Sequence, residues 1–164
     1  MSVHLPAAPL LSPNHRTNRR LSLWMALLVV LLLFPLRLAP VHGSSMEPTL
    51  YEGDIVCFQM LETGILPSRG DLVVFNAPTR LGKLFVKRLV GLPGDELRFQ
   101  GGSLRVNGLP ISLPVGAVEP GFTLSTRVPV GYFFAIGDHA AVSYDSRGFG
   151  AVRLERLVGR LLGF

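Results

Sequence analysis

The sequence predicts a mainly β fold, an antiparallel β-barrel or pair of packed sheets preceded by one N-terminal transmembrane helix. Three observations carry that reading. The 164 residues include 18 Gly and 13 Pro, far too many for a helical bundle but ordinary for short strands joined by turns. A Gly-Asp turn signal recurs ahead of a β-rich run: Glu52-Gly53-Asp54 before Ile55–Phe58, Arg69-Gly70-Asp71 before Leu72–Phe75, and Pro93-Gly94-Asp95 before Glu96–Phe99. Its spacing is irregular, so it is turn punctuation and not a structural repeat. Finally, fourteen of the sixteen residues from Leu21 to Leu36 are apolar.

Residues 1–20 mix Pro, Ser, Asn, His and Arg without periodicity and read as a disordered tail. The apolar run after them, at 1.5 Å per residue, covers about 24 Å, short of the roughly 30 Å hydrocarbon core. Arg20 and Arg37 flank it and can snorkel toward the two interfaces while the bilayer thins. The run is apolar on every side, unlike a core helix. Arg37-Leu38-Ala39-Pro40 makes a poor cleavage site for a removable secretory signal. Residues 21–38 are therefore expected to be a membrane anchor. Arg16, Arg19 and Arg20 place the tail in the cytoplasm and residues 39–164 outside it. Further strands are expected at Lys83–Val90, Ser103–Val106, Tyr132–Ile136 and Val152–Leu161, and no helix beyond the anchor.

Charge and cysteine content exclude several functions. The net charge is +5, but four of those charges, Arg16, Arg19, Arg20 and Arg37, surround the apolar run, where no acid occurs. Residues 41–164 are nearly neutral, with twelve basic and eleven acidic side chains. A nucleic-acid-binding domain would carry the excess on its folded part. A single cysteine, Cys57, excludes an intrachain disulfide framework and a multi-thiolate zinc site.

Fourteen of the sixteen basic side chains are arginine, which stays protonated and cannot act as a base. Only Lys83 and Lys87 remain. In a strand, Lys87 shares a face with Phe85 and Leu89, and desolvation there lowers an amine pKa. A strand lysine equally lays its stem over apolar surface and keeps its ammonium in water. Just beyond the apolar run, Gly43-Ser44-Ser45-Met46-Glu47-Pro48-Thr49-Leu50 reads as a loop that exposes serine. A serine nucleophile needs a base. Neutral lysine is one candidate; His42 or His139 with Asp138 or Asp145 is the other.

Ser44-Ser45-Met46-Glu47-Pro48-Thr49-Leu50 resembles the S-x-M-x-P-T-L nucleophile box of the bacterial type I signal peptidases, membrane-bound Ser/Lys proteases. Four further boxes follow in that family's order. They are Gly53-Asp54-Ile55-Val56, Arg69-Gly70-Asp71-Leu72-Val73-Val74-Phe75, Val86-Lys87-Arg88-Leu89-Val90-Gly91-Leu92-Pro93-Gly94-Asp95, and Gly137-Asp138 with Ser143-Tyr144-Asp145-Ser146-Arg147. The resemblance spans roughly residues 20–160.

The resemblance implies Ser45 as nucleophile and Lys87 as general base, with Ser143 hydrogen-bonding the Lys87 amine. Asp145 and Arg147 would form a supporting ion pair, of little consequence if it lies at the surface. Val41, Met46 and Val86 would line shallow apolar subsites for small side chains. Some relatives carry a hydroxyl residue where this chain has Gly43, so the oxyanion would rest on backbone N–H groups of the Gly43-Ser44-Ser45 segment, including that of Ser45. His139-Ala140-Ala141-Val142 replaces the family's common Asn-Arg-rich run. The implied activity is removal of N-terminal signal peptides from exported preproteins at the bacterial cytoplasmic membrane. It needs no metal or organic cofactor, and its partners are signal peptides and the lipid bilayer, with no nucleic acid. A conjugative-pilus maturation peptidase with the same dyad is the nearest rival. A membrane-tethered scaffold that binds signal peptides without cleaving them is the alternative of a different class.

Overall fold

The computed structural model describes residues 22–29, 36–62, 64–79 and 82–164. The chain divides into two units, Met1–Pro35 and Leu36–Phe164. In the first, residues 22–29 are helical. Among the described residues no helix is long and apolar enough to cross a membrane. The expected tail, residues 1–20, and residues 21 and 30–35 of the expected anchor lie outside the described residues. Leu36, Arg37 and Leu38, expected to end or follow the apolar helix, instead begin a strand paired on one side to the strand Ile55–Met60 in an antiparallel ladder.

The second unit is mainly β, as expected. One curled antiparallel sheet has seven strands in the order β1-β2-β11-β3-β4-β9-β10. These are β1 (Leu36–Pro40), β2 (Ile55–Met60), β3 (Leu72–Asn76), β4 (Leu84–Gly91), β9 (Tyr132–Ile136), β10 (Val152–Arg153) and β11 (Leu157–Leu161). A second sheet has four, in the order β7-β6-β5-β8: β5 (Glu96–Gln100), β6 (Ser103–Val106), β7 (Leu109–Ile111) and β8 (Leu124–Arg127).

The Gly-Asp turns work as their chemistry suggests. Gly53, Gly70 and Gly94 all have φ near +90°, a conformation that an L side chain resists. The following aspartate then bends back: Asp54, Asp71 and Asp95 each accept a hydrogen bond from the backbone N–H three residues earlier, at 2.7–2.9 Å. Each turn is thereby locked before its strand begins.

Packing follows strand alternation. In β3, Leu72 and Val74 enter one cluster with Val41, Met46, Leu50, Val56, Phe58 and Leu161. Val73 and Phe75 face the other side, against Leu89, Phe133, Ala135 and Val152. A strand buried on both faces reads as an unbroken apolar run, which Leu72–Phe75 is. The four-stranded sheet buries Leu97, Phe99, Leu104 and Val106 against Val90, Phe134 and Ile136.

One expected strand divides. Val152–Leu161 is interrupted by a turn of 3-10 helix, Leu154–Arg156. That turn carries the chain from the sheet edge, where β10 pairs with β9, to its interior, where β11 lies between β2 and β3. Helix also occurs where none is expected, as one turn at Ser146–Phe149 and a 3-10 turn at Ala140–Val142.

Candidate active site

The loop from Val41 to Leu50 carries Ser45 and is held from below. Val41, Met46 and Leu50 are buried in the cluster beneath it and anchor the loop, while Ser45 is half-exposed. Lys87 reaches it from β4. Its register partner is Val73 of β3, and it is only 4 % exposed. Its Nζ is hydrogen-bonded to the Ser45 hydroxyl and lies 5.7 Å from the centre of the Phe85 ring.

Burial lowers the Lys87 pKa to about 8; Asp145 and Asp138 partly oppose that and Arg147 adds to it. An amine in this range is neutral often enough near pH 8 to accept a proton. Lys83, the other candidate base, is exposed and lies outside β4. His42 lines a cleft with Ser45, but among the described residues no histidine pairs with Asp138 or Asp145. His139 Nδ1 lies 3.3 Å from the Ser44 carbonyl oxygen, and the carboxylates of Asp138 and Asp145 are taken by arginines.

The Asp145–Arg147 pair is not a surface bridge. Asp145 is fully buried and Arg147 is 9 % exposed, at 2.5 Å. Asp145 also accepts from the Gly137 N–H at 2.8 Å, the Ser143 hydroxyl at 2.6 Å and the Arg147 N–H at 3.0 Å. Burial works against its charge, but Arg147 and these donors outweigh it and hold the carboxyl below its ordinary range. The Ser143 hydroxyl is thus donated to Asp145, not directed at Lys87 as the resemblance implied. An ionised carboxylate is a stronger acceptor for a hydroxyl proton than a neutral amine.

A second buried lock was not anticipated. Arg88, on the face of β4 opposite Lys87, grips Asp138 through Nε and Nη2 at 2.8 and 2.6 Å and donates to the Gly70 carbonyl at 2.7 Å. Thr49 adds its hydroxyl to Asp138 at 2.5 Å. One buried carboxylate therefore joins the Ser45 loop, β4 and the loop after β9. The sequence signal was present in strand alternation, which makes Lys87 and Arg88 face opposite ways; the partner across the fold was not legible.

Gly137 completes the junction. A Cβ there would collide with the Ser45 carbonyl oxygen and the Ser143 hydroxyl, so glycine allows the two loops to touch. Beside Ser45 is a cleft of about 260 Å³ whose lining includes Val41, Gly43, Met46, Val86 and Lys87. The three expected subsite residues are therefore together. Phe58, Leu84, Val142 and Tyr144 also line the cleft, although sequence alone did not single them out. Gly43 has φ +81° with open space where a Cβ would stand.

A family model described as "Signal peptidase, peptidase S26" matches residues 16–163. The chain belongs to this family. It is 35 % identical over 166 residues to a signal peptidase I of Bacillus caldolyticus, covering 90 % of each chain. It is 38 % identical over 128 residues to a probable signal peptidase I-2 of Synechocystis, covering 73 % of this chain and 58 % of that one. Among solved structures, a signal peptidase I from Enterococcus faecalis matches with TM-score 0.53 and 30 % identity, covering 59 % of this chain and 97 % of the other. S26 membership makes the chain a serine peptidase, a hydrolase.

Proposed function

We propose that this S26 peptidase removes signal peptides from exported preproteins with a Ser45/Lys87 dyad while held at the membrane. The observation that carries the reading is the hydrogen bond between a buried, deprotonatable Lys87 and the Ser45 hydroxyl. Neutral Lys87 takes the hydroxyl proton as Ser45 Oγ attacks the scissile carbonyl. The Ser45 N–H, which donates to no other described group, faces the developing oxyanion. The lysine ammonium then protonates the departing amine. Neutral again, it deprotonates the water that hydrolyses the acyl ester.

Two free strand edges support an extended peptide as substrate. β1 is paired only on its β2 side, and Leu84–Lys87 of β4 are paired only on the β3 side. Ala39, Pro40, Leu84 and Phe85 from these two strands line the cleft. A peptide laid there gains main-chain hydrogen bonds, and alternate side chains enter the apolar floor. Val41, Met46 and Val86 suit small side chains before the cut. The apolar segment ahead of β1 supplies membrane attachment. Ser45 follows Pro40 by five residues, so the connection holds the nucleophile within about 18 Å of the end of β1.

The test is preprotein cleavage by wild type, Ser45→Ala, Lys87→Met and, as control, Lys83→Met, with protein in liposomes. Loss in the first two variants and wild-type activity in the third is expected. Wild-type activity in Lys87→Met would show the dyad to be misassigned. Vesicle flotation of chains with and without residues 1–35 checks the membrane attachment.

A further inference from the structure

His139 opens the stretch where the resemblance leads one to expect an Asn-Arg-rich run, and it touches both peptide units that flank Ser45. Its backbone N–H donates to the Ser45 carbonyl at 3.1 Å. Its Nδ1 lies 3.3 Å from the Ser44 carbonyl oxygen, which also accepts from the Glu47 N–H at 3.2 Å. The acceptor is a carbonyl, so Nδ1 must carry the proton. The remaining charged neighbour is Glu47, whose carboxylate lies 4.0 Å from the same nitrogen. Through its own carbonyl, His139 accepts the Ser143 N–H at 3.1 Å.

The Ser44 carbonyl and the Ser45 N–H belong to one planar unit. The only cis peptide among the described residues is Glu47–Pro48, so the Ser44–Ser45 bond is trans and its C=O and N–H point in opposite directions. A donor that fixes the carbonyl therefore aims the N–H. It also polarises the amide, which strengthens the N–H as a donor. The Ser45 N–H has no other acceptor in the described structure.

We propose that the His139 imidazole, in its Nδ1–H form, is a positioning residue that aims and polarises the Ser45 N–H toward the reaction oxyanion. The inference rests on the Ser45/Lys87 reading above. An asparagine Nδ2 stands as many bonds from the backbone as the histidine Nδ1, so the two side chains can offer an N–H at one place.

The decisive comparison is His139→Asn with His139→Asp, side chains of equal size that place a donor or an acceptor against the Ser44 carbonyl. His139→Ala is the third variant, and all are measured for kcat and KM on a preprotein and for thermal midpoint. Direct removal of an oxyanion donor costs 10²–10³ in rate, so loss of the group that aims one is expected to lower kcat roughly ten-fold. Asn is expected to stay within about two-fold of wild type, with Asp and Ala falling roughly ten-fold at nearly constant KM. Equal activity in Asn and Asp, an unimpaired Ala variant, or a loss confined to KM would overturn the proposal. Ser45→Ala is run alongside: if it cleaves normally, the nucleophile assignment and this inference fall together, whereas inactive Ser45→Ala with normal His139→Asp removes this inference alone.

Discussion

Replacing Lys87 by methionine should destroy catalysis and stabilise the fold. The lysine is 4 % exposed and packed beside Phe85, with a pKa lowered to about 8 from 10.5. That difference corresponds to roughly 3 kcal/mol. The unfolded chain binds the proton with the ordinary affinity, so wild type carries this penalty in full below about pH 8. The penalty shrinks as pH rises and vanishes above about 10.5. Methionine matches the unbranched stem and has no charge to bury, but loses the hydrogen bond to Ser45, about 1 kcal/mol. The net gain is therefore about 2 kcal/mol at pH 7, or several degrees in Tm for a domain of this size. Urea unfolding of a fragment starting at Leu36 at pH 7 and pH 10.5 measures it. The gap between variant and wild type should be large at the lower pH and close or reverse at the higher. Equal stabilities at pH 7, or a gap that widens with pH, would refute a lysine whose pKa is lowered by burial.

The same pKa makes kcat/KM rise about ten-fold from pH 7 toward pH 9 and level off with a midpoint near 8, which a pH–rate profile on a short signal-sequence peptide checks. Asp145→Asn should cost about 3 kcal/mol in urea unfolding, because it leaves buried Arg147 without its counter-charge. In wild type the depressed Asp145 pKa stabilises the fold above the ordinary carboxylate range and that contribution is lost as pH falls through the folded-state value, so the variant should lose less stability on acidification. Gly137→Ala should abolish cleavage and lower Tm, since its Cβ meets a backbone oxygen of Ser45 that cannot move without moving the nucleophile.

What was legible in the sequence was what strand alternation and turn chemistry determine locally. Ser103–Val106 and Tyr132–Ile136 form strands with the expected bounds, and the three Gly-Asp turns punctuate as expected. Two of the strands not anticipated, β7 and β8, are the edges of their sheet. Leu109–Ile111 contains a proline and Leu124–Arg127 reads Leu-Ser-Thr-Arg. Edge strands need no second apolar face, so neither has the pattern that reveals an interior strand. β1 was obscured because Leu36–Leu38 continue the composition of the apolar run before them; only the ladder to β2 distinguishes strand from helix there.

The same division holds at the site. Scarcity left two candidate bases, Lys83 and Lys87, since arginine cannot be one; strand alternation put Lys87 on a face with Phe85 and Leu89, and the resemblance chose between them. What joins Lys87 to Ser45 was not local. The nucleophile loop meets the loop after β9 through Thr49 on Asp138, His139 on the Ser44 and Ser45 carbonyls, and Gly137 leaving room for both. Each of these residues reads in isolation as an ordinary turn or cap residue. Their separations, 89 residues from Thr49 to Asp138 and 95 from Ser44 to His139, lie far beyond the range of any periodicity. The proposed catalytic geometry depends on two distant loops meeting closely at Gly137, so inconspicuous residues, a glycine and a histidine among them, carry the proposed positioning.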